Sequence, residues 1–441
     1  MVTLTVEKGD SVTPAGRGTP AWELGLRLVG AALQIMATVA VVQALLPTAA
    51  GVYFRGAIIA YGLAALLRGK YDLFIAEHFV DPQQSELGAH ARVVVRALGI
   101  RVLTRSAIAC AALLVFTTDL DVMDVYLRPY LQTYLPFMLA VPFATLAGFL
   151  ASTLRATNRI AGSVIVFSYS INVMIIAGSF GASLRPDLAL EVVSWSFFIG
   201  SLCAAGIGVL LTRHVFKVPA DPQLKLSPAE WRDIYSSTAR NGLAGAAFAA
   251  LQWGPTVILA VLGSTLQIAE YAVVVRTAQI IDFLVPGVAF VPPSARIQSR
   301  LCRAMRTARG KLAVDLSVSL ATASACVAAV GILTPWFIGW YGRAYTGLTV
   351  LFLIVFLMQW VNGLGRPAIR RLAADWDLRR IRRALITSMG VAIALSTLGI
   401  GQFGAVAAAL GSLAGAVLLN GQAIISAFRQ ASASRADTRS A

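Results

Sequence analysis

Residues 52–78 read VYFRGAIIAYGLAALLRGKYDLFIAEH, an apolar run of membrane-crossing length that holds Arg55, Arg68 and Lys70 within it. About 20 apolar residues cross ~30 Å of hydrocarbon as a helix. In lipid the backbone must satisfy its own hydrogen bonds, so a helix is the form such a run takes. A cation at that depth costs roughly 2.5–3.5 kcal/mol on insertion scales, so it normally faces protein or a wet cavity. Arg27, in the preceding apolar run, and Arg276, in a later one, pose the same problem.

The whole chain repeats this pattern. Of its 441 residues 57% are hydrophobic and 13% charged, with mean hydropathy +0.73. A soluble domain carries a charged fraction of about 25%. The expected fold is an all-α polytopic membrane protein of about twelve transmembrane helices. The first six spans fall at 22–46, 52–78, 102–118, 129–151, 161–182 and 191–212, and the second six at 241–262, 268–291, 312–334, 346–366, 384–401 and 404–428.

The long central connection divides these into two six-helix lobes, residues 22–212 and 241–428. Residues 1–21 read as a disordered cytoplasmic tail, 213–240 as a cytoplasmic linker, and 429–441 as a second cytoplasmic tail. Within the linker, Ser227-Pro228-Ala229-Glu230 is a capping box with proline at the first helical position, predicting a short helix that leads into the seventh span. At an offset of 218, Ala32-Leu33-Gln34 matches Ala250-Leu251-Gln252 and Tyr53 matches Tyr271. Six spans return each half to its starting side, so the repeats are expected to be parallel, about a pseudo-twofold axis along the membrane normal.

Charge placement gives orientation. The net charge of +16 lies mostly in short loops between spans, which speaks for topology and against nucleic acid as a partner. Loops and tails on the N-terminal side carry 29 basic residues; the opposite side carries three, Arg128, Arg185 and Arg343. Both termini are therefore expected in the cytoplasm, in a bacterial inner membrane. The four cysteines show no CxxC spacing, and no nucleophile–base set, metal spacing or nucleotide loop is present, so no catalytic residue, metal or cofactor is expected.

The five cations inside spans are the candidate binding residues: Arg68, Lys70 and Arg276 first, then Arg27 and Arg55. Arg68 and Asp72 are four apart on one helix face, which fits an intrahelical pair as well as an anion contact. Lys70 is rotated about 200° from Arg68 and has no partner at helical spacing. Arg276 must find a partner on another helix or meet water. Arg27 and Arg55 are near enough to span ends to snorkel. Asp72 and Asp282, acidic groups within spans, are the candidates for coupling to H+ or Na+. Tyr126, Tyr130 and Tyr134, and Trp336, Trp340 and Tyr341, read as interfacial aromatics, the second group in an outer loop.

Four stretches resemble the polysaccharide transporter (Wzx-type) flippases of the MATE-like multidrug/oligosaccharidyl-lipid/polysaccharide (MOP) superfamily. They are Leu45-Leu46-Pro47 with Gly51-Val52-Tyr53-Phe54; Leu154-Arg155-Ala156-Thr157-Asn158-Arg159; Leu251-Gln252-Trp253 through Leu262-Gly263, with Tyr271-Ala272 and Arg276-Thr277-Ala278; and Gly404 through Leu410. The resemblance implies alternating access by two lobes. It also implies, as substrate, an undecaprenyl-pyrophosphate-linked oligosaccharide, the repeat unit of an O-antigen or exopolysaccharide, moved from the inner to the outer leaflet. The expected partners are that lipid-linked oligosaccharide, the phospholipid bilayer and other polysaccharide assembly proteins. Many relatives carry an Asp-Arg pair early in span seven, where this chain has Gly254-Pro255, so that family acid has no counterpart here. Arg forks match phosphate oxygens and Lys adds a point charge, which suits a pyrophosphate cargo. A MATE-type multidrug exporter would favour an acidic cavity; a lipid II flippase is the closer alternative. A membrane glycan polymerase or ligase would need a larger outer loop.

Overall fold

The computed structural model describes residues 21–78, 87–118, 124–157, 159–215, 227–288, 308–374 and 378–440. The tail before residue 21, part of the linker (216–226) and the basic loop up to residue 307 lie outside the described residues. Thirteen α-helices and no strand occur among them: α1 Ala21–Ala44, α2 Pro47–His78, α3 Leu87–Thr118, α4 Asp124–Ala156, α5 Ile160–Val164, α6 Ser170–Leu184, α7 Ala189–Val215, α8 Pro228–Leu262, α9 Thr265–Val288, α10 Ala308–Tyr341, α11 Thr349–Ala374, α12 Leu378–Phe403 and α13 Ala405–Ser440. A π-helical turn, Ile165–Tyr169, joins α5 to α6 into one span.

Among the described residues, eleven helical stretches are long and apolar enough to cross a membrane. The remaining predicted span is α9, 24 residues long, whose sequence includes Glu270, Arg276 and Asp282. Leu398 (81% exposed), Ile332 (77%) and Phe180 (71%) stand bare on helix surfaces, as a lipid-facing helix requires. Many buried hydroxyls bond to their own helix. Thr38, Ser106, Thr145, Thr153, Ser201 and Thr238 each donate to the carbonyl four residues earlier, at 2.6–3.0 Å.

Several boundaries differ from the sequence reading; α13, for one, continues to Ser440 through most of the predicted second tail. The capping box forms as predicted, with Ser227 N donating to Glu230 Oε2 at 2.6 Å and Glu230 N to Ser227 Oγ at 3.2 Å. The helix it starts is not short: α8 runs 35 residues unbroken to Leu262. Helix α3 begins fifteen residues before the predicted span, because Val94, Val95, Leu98 and Val102 recur at helical spacing and are buried. Trp336, Trp340 and Tyr341 lie on the last turns of α10, not in a loop, and Tyr341 is buried while both tryptophans are exposed.

Contacts divide the chain into two compact units. One lies within Val29–Val273; the other comprises the described residues of 274–441 with those of 21–28. This boundary lies within α9, whereas the predicted lobes divide in the linker.

Within the first unit α4 is central, packing on α2, α3 and α7, and its span is 67% buried. Helix α8 lies antiparallel along α2, so that Gly69 meets Gly245, Gly62 meets Val257 and Gly51 meets the Thr265 backbone. A compact core of Tyr71, Phe74, Ile75, Leu98, Phe149 and Ile234 ties α2, α3, α4 and α8 together.

Within the second unit, α13 packs on α12 and α11, and α11 on α10. Gly404 (φ 54°) makes the one-residue reversal between α12 and α13, a left-handed conformation that glycine adopts without strain. The Asn420 amide donates to Asn362 Oδ1 at 3.1 Å, joining α13 to α11.

Candidate functional site

Helix α2 carries three of the five candidate cations, and the structure gives each a different environment. Near the start of α2, Arg55 donates from Nη2 to the Gly263 carbonyl at 2.8 Å. Gly263 is the C-cap of α8, where unpaired carbonyls and the negative end of the helix dipole favour a cation. Arg55 therefore clips α2 to the end of α8.

Arg68 is 9% exposed. Its Nε lies 3.4 Å from Asp72 Oδ2, and its guanidinium carbon stands 5.6 Å from the centre of the Phe167 ring, in the π-helical turn. The guanidinium also presses on Gly148 of α4, a space that a side chain at 148 would fill. Asp72 has Ser152 as a hydrogen-bonding neighbour and Arg155 as a second cation nearby. Of the two sequence readings of Arg68, the geometry supplies the pair with Asp72.

Lys70 points elsewhere, as its 200° offset requires. Its Nζ stands 5.0 Å from the centre of the Tyr71 ring. Arg105 of α3 donates from Nη1 to the Tyr71 hydroxyl at 2.7 Å and acts electrostatically on Lys70. One turn earlier on α3, the Arg101 guanidinium stacks 3.9 Å from the Trp231 ring centre and 4.5 Å from that of Tyr235, both on α8. Arg101 also acts on the Tyr71 phenol. Lys70 and Arg105 thus contact one buried phenol, with Arg101 one turn away on α3.

Sequence reasoning counted Arg101 and Arg105 only as loop charges. The available signal was their four-residue spacing with Val102 between them, which continues the helix and puts both on one face.

Arg27 and Arg276 belong to the second unit and are half-buried. Next to Arg276, the Thr277 hydroxyl is bonded to Tyr341 Oη at 2.9 Å, fixing α9 against the end of α10. Asp282 lies on α9, but its side chain is outside the described residues, as are those of Tyr126 and Tyr130. Tyr134 is described and stands 6.5 Å, ring to ring, from Phe137. Among the described residues, no group of three His, Cys, Asp or Glu is placed to hold a metal ion.

No protein-family model matches this chain, and no curated protein matches it. Solved structures do. The chain is similar to an inward-facing multidrug resistance MATE family transporter of the MOP superfamily, at 12% identity and TM-score 0.59, over 93% of this chain and 98% of that one. It is similar to the lipid II flippase MurJ in an inward closed conformation, at 12% identity and TM-score 0.61, over 92% of this chain and 87% of that one. An outward-facing MATE family transporter matches at 12% identity and TM-score 0.54, over 99% and 100% of the two chains. The likeness is one of fold: a multi-pass, all-helical membrane protein built like these transporters.

Proposed function

We propose that this protein is a flippase that moves an undecaprenyl-pyrophosphate-linked oligosaccharide across a bacterial inner membrane by alternating access of two six-span lobes. The observation that carries the reading is Lys70. It is a cation within an apolar span whose charged neighbour among the described residues is another cation, Arg105, while the acid two residues on, Asp72, is held by Arg68. A carboxylate partner would make Lys70 structural; a like-charged neighbour makes it a site that gains from an anion. The isoprenoid tail of the cargo stays in lipid, and its pyrophosphate and glycan are met by cations within the spans, Lys70 and Arg276 foremost.

The fold supports transport, since similar chains include the lipid II flippase MurJ and MATE family transporters. Excess of basic over acidic residues within the spans favours an anionic cargo over a cationic drug. Both termini face the cytoplasm on the charge count, and H+ or Na+ coupling would run through Asp72 or Asp282. Other polysaccharide assembly proteins would deliver the cargo and receive it.

The test is flipping of a labelled undecaprenyl-pyrophosphate oligosaccharide in proteoliposomes, together with rescue of a flippase-deficient strain. Lys70→Ala and Arg276→Ala should each abolish flipping while the protein still inserts and folds. Near-normal rescue by both variants would sink the reading. Transport of lipid II in preference to other lipid-linked glycans would reassign the cargo.

A further inference from the structure

We propose that Lys70, Arg101 and Arg105, gathered about Tyr71 where α2, α3 and α8 meet, form a cradle for the phosphate groups of a lipid. The inference deepens the flippase reading and rests on it for the identity of the cargo, but the cradle itself can be tested without transport.

Four observations carry it. The three cations come from two helices, and two of them contact one phenol that is 3% exposed: Arg105 bonds to its hydroxyl and Lys70 lies over its ring, while Arg101 acts on it electrostatically. Among the described residues none of the three is in an ion pair. Like charges four apart on one helix face repel, as Arg101 and Arg105 must, so the cluster is held together against its own electrostatics. The Arg101 guanidinium lies over the Trp231 and Tyr235 rings, contacts that orient it without consuming its hydrogen-bond donors.

An uncompensated cluster of fixed donors beside hydrocarbon is stabilised by whatever anion enters it. Phosphate is the group whose several oxygens can accept from two guanidinium forks and an ammonium together. Arg105 is exposed and Lys70 and Arg101 are half-buried, so an anion can reach them. The buried apolar residues beneath, Phe74, Leu98 and Phe149, fix the three helices and keep the cations together.

Two sources carry this chemistry, the pyrophosphate of the cargo and the headgroups of anionic phospholipid, and the test separates them. Inorganic pyrophosphate is titrated onto the full chain in nanodiscs of pure phosphatidylcholine, reading binding and the shift in melting temperature. The same titration is repeated in nanodiscs containing phosphatidylglycerol.

Wild type is expected to bind pyrophosphate and melt higher with it. Lys70→Gln/Arg105→Gln should melt normally without ligand and bind roughly tenfold or more weakly. Arg105→Lys, which keeps the charge, should retain most of the binding. Weaker pyrophosphate binding in phosphatidylglycerol discs, for wild type only, would assign the cradle to bilayer headgroups; equal binding in both discs would assign it to the cargo. Undiminished binding by the double glutamine variant, or no binding by wild type in phosphatidylcholine, overturns the proposal. Failure of the flippase reading would show separately, as wild-type protein that binds pyrophosphate but flips no lipid-linked glycan.

Discussion

Gly69 of α2 and Gly245 of α8 touch backbone to backbone: a β-carbon on Gly245 would lie 2.7 Å from the Gly69 carbonyl carbon and from the Lys70 amide nitrogen. In lipid there is little hydrophobic force between helices, and small residues that let backbones approach supply the packing instead. This contact sets the spacing of α2 and α8, and so the positions of Lys70 and of Trp231 and Tyr235.

Gly245→Leu should therefore force the two helices apart. Overpacking of this kind costs about 1–3 kcal/mol and sometimes more. The expected outcome is a lower melting temperature in detergent and greater protease sensitivity, with Gly242→Leu as a control, since nothing lies within 4 Å of a β-carbon there. Equal melting of the two variants would show that the close approach does not matter.

Arg68 and Asp72 form a pair beneath Gly148. Removing one partner of a buried pair leaves the other charge uncompensated, at about 3–5 kcal/mol, whereas replacing both with apolar groups is often neutral. Arg68→Leu alone should melt well below wild type, and Arg68→Leu/Asp72→Leu should recover most of the loss. If the double variant is the less stable of the two, the pair is not the structural unit described above.

Arg55 caps the carbonyl end of α8 through Gly263. A cation at a partly buried helix C-terminus contributes up to ~2 kcal/mol. Arg55→Ala is expected to lower stability by about that amount, and Arg55→Lys to restore part of it. Loss of flipping with unchanged melting would instead assign Arg55 to the cargo.

The Thr277–Tyr341 hydrogen bond holds α9 to the end of α10. Tyr341→Phe leaves the buried Thr277 hydroxyl without this partner and should cost about 1 kcal/mol. Thr277→Val should cost a similar amount, and the two should be non-additive in a double-mutant cycle because they remove one interaction. Strict additivity would mean that the two hydroxyls act independently.

Much of the fold is legible in the sequence because a bilayer reduces the choice of structure. Hydropathy marks twelve spans, of which eleven are long and apolar enough to cross a membrane among the described residues, and the Ser227–Glu230 box marks the start of α8 to the residue. The limits of that reading are local. Arg101 and Arg105 look like loop charges until Leu98 and Val102 are seen to be buried, since a charge count registers sign and position but not helix face. The π-helical turn that sets Phe167 against Arg68 has no signature in the apolar run 161–182.

The sequence by itself determined that this is a multi-pass helical membrane protein with cations inside its spans, because length and hydropathy are properties of single segments. Only the tertiary structure decided what each cation meets: Arg55 a helix end, Arg68 its own helix's Asp72, and Lys70 a second cation across a phenol. The physical reason is that a charge in hydrocarbon is governed by its neighbours within a few ångströms, and for Arg55 and Lys70 those include groups on other helices. Two glycines, 176 residues apart, bring α8 close enough to provide the one that Arg55 meets.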